Sequence, residues 1–524
     1  MPRLSGSPTS GRCAPIVSRV PLLTCVLALG LLGMLPGCSL VPAYQRPTTP
    51  MATAWNGAAQ TSLADTVAVQ SGWWQAYQDP ALNALVERSL QHDFSLASAI
   101  ASVEAARANA AKAGAPLYPS LTLNGTFDRT HQRNSSGSSG SSSHGQSLFA
   151  EAGYEVDFWG LNAANANSAQ MLARASGFDR DTVALTLTAT VADTWFQIQS
   201  LRQRVALAQT ISDDAAKILT LLLAQQDAGV ATELQVQQQR NALATFQAAI
   251  PALQQQLDQN VHLLATLVGA APEGFAVADA ELASIPVPQP RPNLPANLLD
   301  ARPDIRSMEA QLQAANYNVG AARAAFFPSI ALTADGGLSS RSLSNFLASP
   351  FTSLAASLAA PIFDGGALRG QLLASEATKV KSIADYRQTV VSALQDVEDS
   401  LSAAAQQQQV EVADQAAADA ARKAATLADA QYKLGTIDFL TVLDTQRTLY
   451  QSEDALVQTR LARLQASVGL FRAFGGGAGL TDENDEHGAT GTVGSVAFDG
   501  NAATTAGAAD AAPQRQSPQN PIAP

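Results

Sequence analysis

Cysteine is nearly missing from this chain. Its three copies, Cys13, Cys25 and Cys38, all lie near the N-terminus, so loss of the first two with a processed leader leaves no internal disulfide. Packing alone must then hold a long chain together. Long apolar runs are also absent beyond the N-terminal segment. No stretch of about 18 apolar residues occurs there, which excludes a polytopic helical membrane protein but not a β-barrel, whose strands carry a weak signal. The histidines, His92, His131, His144, His262 and His487, are scattered without metal-ligand spacing, and no phosphate loop, dinucleotide fingerprint, GxSxG elbow or Cys–His pair occurs. An enzyme is a poor hypothesis, and neither cofactor nor metal is expected. Basic charge is in deficit, with 32 Lys and Arg against 44 Asp and Glu, and the net charge of −12 becomes −15 when Arg3, Arg12 and Arg19 leave with the leader. Such a chain repels nucleic acid.

Glycine and proline are missing from Gln371 to Leu434, about 64 residues dense in Ala, Gln, Leu and Val. Nothing there breaks a helix. Val380, Ile383, Val390, Leu394, Val397 and Leu401 follow a spacing of three and four, interrupted at Arg387, which predicts a coiled-coil seam. At about 1.5 Å per residue this helix would run roughly 95 Å, several times the width of an ordinary domain. It is a strut, and the rest of the chain says what it spans.

Arg3, Arg12 and Arg19 precede an apolar run from Val20 to Leu35 ending at Leu35-Pro36-Gly37-Cys38, the layout of a secretory signal over residues 1–37. A transmembrane anchor is the competing reading, and the short core argues against it. Leu35-x-Gly37-Cys38 resembles a bacterial lipobox, which would make Cys38 an acylated first residue, and Ser39 after it favours the outer membrane. Residues 38–72 read as an extended, Pro-rich tether.

From Trp73 the plan reads helix, hairpin, long helix, glycine turn, helix, and then repeats. Asp79 is a candidate N-cap with Pro80 in the first turn, and helix continues in two pieces towards Lys112. Leu121, Leu123 and Phe127 alternate with polar residues, and Leu148, Ala150, Ala152, Tyr154 and Val156 alternate with Phe149, Glu151, Gly153 and Glu155, which predicts a hairpin over residues 119–157. The Ser/Gly run from Asn134 to Ser147 reads as its loop. Helix then runs to Ala228, and from about Thr232 to Gly269 with a kink or break at Pro251. Pro119 matches Pro328, Leu123 matches Leu332, and Gly229 and Leu234 match Gly435 and Leu440. The chain is thus a duplication: residues 73–271 form the first repeat, 272–304 a linker, and 305–475 the second repeat with its hairpin over 328–363. Residues 476–524 read as a disordered tail.

Strands of about ten alternating residues are long enough to cross a bilayer as a tilted barrel wall. Alternation alone also suits a soluble sheet, although helices flank both hairpins on each side. Four strands cannot close a barrel, and an open edge cannot sit in lipid. Two copies would give eight strands and a filled bore; three would give twelve and a bore able to stay open, the preferred count.

Taken together, Cys38-Ser39-Leu40 with Pro42 and Tyr44, Trp73-Trp74 before Asp79-Pro80-Leu82, Tyr154-x-x-Asp157-x-Trp159-Gly160, Arg302-Pro303-Asp304-Ile305, Phe326-Phe327-Pro328, Pro361-Ile362-Phe363-Asp364-Gly365-Gly366, and Tyr432-x-x-Gly435 before Leu440-Thr441-Val442-Leu443-Asp444 resemble the TolC-like outer-membrane efflux proteins. The nearest branch is the NodT-type lipoproteins of resistance-nodulation-division multidrug systems. The resemblance implies a mainly α fold with membrane β: a trimeric 12-stranded outer-membrane β-barrel, four strands per chain, continued by a long periplasmic α-helical barrel with a mixed α/β equatorial belt. It implies a homotrimer anchored in outer-membrane lipid through Cys38. The partners would be a periplasmic adaptor and an inner-membrane resistance-nodulation-division transporter, and the cargo drugs or other small molecules.

The same resemblance gives Leu440 and Asp444 as the periplasmic gate. Tyr432 and Thr441 would support it, Thr441 standing where some members have a second Asp. Gly229, Val230, Leu434, Gly435 and Thr436 would be the adaptor-contacting tips. Read by themselves, Asp444 is a solvated helix charge, Leu440 ordinary seam, and the two glycines helix caps. A duct for type I protein secretion and a non-conducting, periplasm-spanning structural lipoprotein are the competing functions.

Overall fold

In the computed structural model the described residues are 39–56, 66–67, 69–132, 141–291, 294–341 and 343–477. The chain divides into two compact units, Met1–Leu480 and Thr481–Pro524, and all of these residues belong to the first. Cys38, the signal segment and residues 478–524 of the expected tail lie outside the described residues.

A two-residue strand, β1 (Thr66–Val67), precedes the first helices. The Asp79 carboxylate accepts from the Ala81 and Leu82 N–H groups, and Pro80 opens α1 (Pro80–His92). Proline costs nothing there, because its missing N–H would have had no intrahelical partner. Asp93 interrupts and caps α2 (Phe94–Gly114) through the Leu96 N–H. The hairpin β2 (Ser120–Gln132) and β3 (Ser141–Val156) leads to α3 (Leu161–Asp227) and α4 (Glu233–Leu267). A linker holding β4 (Gln289–Pro290), which pairs in parallel with β1, reaches the short α5 (Leu298–Ala301). The second half follows as α6 (Pro303–Ala324), β5 (Ser329–Ser340), β6 (Pro350–Ala359), α7 (Ala367–Lys433) and α8 (Phe439–Ala473). The duplication is metric: α3 and α7 each have 67 residues, and α4 and α8 each have 35.

Three expectations are corrected. Helix α4 passes through Pro251 without ending, which overturns the break and not the kink, with Phe246 and Leu253 buried on either side of it. The expected Ser/Gly loop is shorter, because Ser141–Ser147 belong to β3 and pair with Thr126–Gln132. Backbone pairing needs no apolar side chain, so a strand segment polar on both faces leaves no alternation to read. The α7 seam is buried at Tyr386, Val390, Ala393, Val397 and Leu401, whereas Val380 is 66% exposed. Tyr386, beside the interrupting Arg387, takes the inward position.

The largest core gathers around the middle of α3. Trp195 and Phe196 pack with Trp73, Tyr77, Leu464 and Phe471, and the Trp195 Nε1 donates to Asp79 Oδ2 at 2.8 Å. The linker is strapped across this level. Gln199 and Arg202 of α3 donate to the Ala278 and Val277 carbonyls, while Arg460 and Ser467 of α8 donate to the Ile285 and Pro288 carbonyls. The N-terminal tether lies along α6. Asn316 Nδ2 donates to Pro42 O at 2.8 Å, Arg46 grips Glu309 at 2.7 Å, and a Cβ on Gly320 would meet the Val41 Cα at 2.8 Å.

In the central core, Asp193 of α3 keeps a carboxylate oxygen with no hydrogen-bond partner among the described residues. Burial pushes its pKa up to about 7, against the opposing pull of Arg472. Unfolded, the same group ionises near its ordinary value of 3.8. Between about pH 4 and 7 the folded chain holds a proton that the unfolded chain has lost, so stability falls as pH rises through that window. Asp193→Asn is therefore expected to raise the thermal midpoint at pH 8 and leave it unchanged at pH 4. An equal shift at both pH values in circular dichroism melts would remove the titration from the account.

Candidate functional site

The four long strands form one antiparallel sheet in the order β2-β3-β5-β6. Its register sorts side chains onto two faces. Leu121, Leu123, Phe127, Leu148, Leu354 and Leu358 are exposed on one. The other carries Thr122, Asn124, Thr126, Glu151, Thr333, Asp335, Ser353 and Ser357. An apolar face open to the surroundings opposite a polar face is the pattern of a barrel wall between lipid and water. At the helix end of the sheet, Trp159 stacks on Phe327 at 4.6 Å and donates from Nε1 to Pro328 O at 2.8 Å, with Phe158 beside it. Such amphipathic aromatics suit a membrane interface. Among the described residues no helix is long and apolar enough to cross a membrane.

The far ends of the long helices are two matching turns. After α3, Gly229 (φ 75°) donates to Gln226 O and Val230 to Gln225 O, both at 2.8 Å. After α7, Gly435 (φ 73°) donates to Tyr432 O at 2.9 Å and Thr436 to Gln431 O at 3.0 Å. Each is a glycine-terminated cap, and the left-handed φ explains why glycine stands at both. Val230 and Leu434 are 74% and 78% exposed, so these turns present apolar side chains outward. Thr232 with Gln235, and Asp438 with Thr441, then start the returning helices.

On α8 the buried face is Phe439, Val442 and Leu443, of which Phe439 and Leu443 pack with Leu222 and Phe246. Leu440 and Asp444 stand one turn apart on the opposite face, Leu440 54% exposed and Asp444 exposed. The sequence had brought them together by resemblance; here they share one free stripe. Thr441 has a different task. Its hydroxyl and backbone N–H donate to Asp438 at 2.6 and 2.9 Å, which holds that carboxyl below the usual range. Tyr432 is half buried, edge-on to Phe439 at 6.0 Å, and its hydroxyl donates to Gln225 Oε1 at 3.0 Å. Burial raises its pKa.

Sequence reasoning missed Gln225, which ties the tip of α7 to the tip of α3. It also missed Arg204–Asp454 (2.6 Å), joining α3 to α8, and Arg422–Glu453 (2.7 Å), joining α7 to α8. Arg204 and Asp454 are 250 residues apart, and no spacing rule connects such a pair. Cys38 lies outside the described residues. Its neighbour Ser39 has its Cα 3.9 Å from where a Gly160 Cβ would be, at the start of α3 and next to Trp159.

Comparison with known proteins agrees with this geometry. The family model described as outer membrane efflux protein matches residues 85–270 and 294–476. The pyoverdine export outer membrane protein OpmQ of Pseudomonas aeruginosa is 39% identical over 422 residues, 77% of this chain and 87% of that protein. The toluene efflux pump outer membrane protein TtgC of Pseudomonas putida is 32% identical over 452 residues, 85% of this chain and 93% of that protein. Among solved structures, the outer-membrane channel OprN superposes with a TM-score of 0.79 at 29% identity, over 84% of this chain and 99% of that one. The chain therefore belongs to the outer membrane efflux protein family, and is an outer-membrane protein of mainly α fold with a β-barrel part.

Proposed function

We propose that three copies of this chain form one passive export duct for a tripartite efflux pump. One observation carries the reading. The sheet has a lipid-type outer face, yet among the described residues β2 and β6 are edges without a partner. In lipid each unpaired backbone group costs several kcal/mol, so the edges must be closed by other copies. Three copies close twelve strands and leave a bore.

The long helices carry the bore across the periplasm to the two glycine turns. There Val230, Leu434 and Thr436 meet a periplasmic adaptor, which couples the duct to an inner-membrane resistance-nodulation-division transporter. Gly229 and Gly435 make those turns possible. Leu440 and Asp444 supply two rings one helical turn apart. Leu440 resists wetting, and the Asp444 carboxylates repel anions. Tyr432 holds the closed position through Gln225, and Thr441 fixes the start of the gating helix through Asp438. Small-molecule cargo is supported by the pyoverdine and toluene named for the two relatives. Ser39 beside Gly160 supports a lipid on Cys38, where the acyl chain reaches the inner leaflet next to the aromatic belt.

Planar-bilayer recordings test the duct and its gate. The purified protein is expected to conduct, Asp444→Asn to reduce cation preference, and Tyr432→Phe to raise conductance by releasing Gln225. A protein that inserts but passes no current would end the duct reading, and unchanged ion preference in Asp444→Asn would remove the acidic ring. Cys38→Ala is expected to abolish incorporation of radiolabelled palmitate; retained label would place the lipid elsewhere.

A further inference from the structure

Among the described residues the polar face of the sheet carries one pair of aromatic rings. Phe149 of β3 and Phe351 of β6 stand on either side of Gly337 of β5 and in register with it. Their rings meet at 5.9 Å with planes inclined by 59°. A Cβ at position 337 would lie 2.4 Å from the Phe149 Cα and 2.2 Å from Leu148 O. Glycine is what allows the two rings to close over β5.

Two residues along the same face, Glu151 and Asp335 oppose each other directly across β3 and β5. Like charges in that position destabilise a sheet. Neither is neutralised by a base: Asn124 Nδ2 donates to Glu151 Oε2 at 3.0 Å and Ser353 Oγ to Asp335 Oδ2 at 2.7 Å. Among the described side chains no Lys or Arg stands on this face of the four strands.

We propose that these two rings beside two carboxylates form a contact site for planar aromatic cations on the duct wall, repeated in each copy. The proposal rests on the duct reading, which turns this face towards cargo. A ring face attracts a cation and stacks on a flat aromatic plane, and the carboxylates supply the opposite charge. Neither a neutral hydrocarbon nor an anion uses both halves of the site. Shielding of Gly337 alone would need one ring and would make no use of the opposed acids.

Fluorescence anisotropy of ethidium, titrated with the purified full-length protein in detergent, tests the site. The paired change Phe149→Leu with Phe351→Leu keeps an apolar cover on Gly337 but removes the ring faces, and is expected to weaken binding about tenfold. Glu151→Gln with Asp335→Asn is expected to weaken it by a similar factor. Phe149→Tyr with Phe351→Tyr is expected to bind as the unaltered protein does, which separates ring contact from folding. Unchanged affinity in the leucine pair overturns the proposal, whatever the acid pair does. Planar-bilayer conductance of the same preparations reads the duct separately: no current with ethidium binding intact sinks the channel and leaves the site standing.

Discussion

Backbone hydrogen bonds that one chain cannot complete govern this molecule. Among the described residues the sheet has four strands, two of them edges, and Leu121, Leu123, Phe127, Leu354 and Leu358 stand exposed on it. In water such edges would merely be hydrated. In hydrocarbon they are intolerable, because no solvent replaces the missing partner. The proposed trimer thus follows from where the sheet sits and not from any contact a single copy displays.

Equal repeat lengths follow from the same condition. Helices α3 and α7 both begin at a sheet strand after a left-handed glycine, Gly160 or Gly366, and both end 67 residues later at another. Their far turns therefore fall at comparable distances from the membrane. The connections between them are few, and magnitudes separate those that matter. Lys381–Asp385 and Lys433–Asp429 are exposed pairs within one helix, worth roughly 0.3–0.5 kcal/mol each. Arg204–Asp454 joins two helices with both side chains largely covered, and Arg460 and Arg463 converge on Glu411 from α8 to α7. Only the second kind fixes one helix against another, and removing one member strands its partner's charge.

The periodic features were legible in the sequence. The Asp79 cap, the helix break before α2, both hairpins and the two glycine turns were read from residue type and spacing, since each is decided locally. What escaped was decided by distant partners. The inward turn of Tyr386 is settled by the core it shares with Trp55, Ile305 and Phe474, and the strand state of Ser141–Ser147 by pairing with β2. The Tyr432–Gln225 bond joins positions 207 residues apart. For the proposed gate, residue type alone left Asp444 a solvated charge; resemblance singled it out, and the fold adds that it shares an exposed face with Leu440.

The largest core and the strapping hydrogen bonds of the linker lie at the middle of the molecule. At the level of Trp195 four segments of the chain interlock, with aromatic rings, a buried Trp–Asp hydrogen bond and the linker strapped to both α3 and α8. At the tips the hydrogen bonds are mostly caps closed within four or five residues, and Tyr432–Gln225 is the cross-link between α7 and α3 there. Local caps keep each turn folded, and the cluster of Leu222, Phe246, Phe439 and Leu443 packs the helices together behind them. That cluster is smaller than the core around Trp195, so separating the tips costs less than disturbing the middle. In the proposed duct, opening moves the helix ends about a fixed middle, and an adaptor grasping the exposed turns acts where the least structure must be given up.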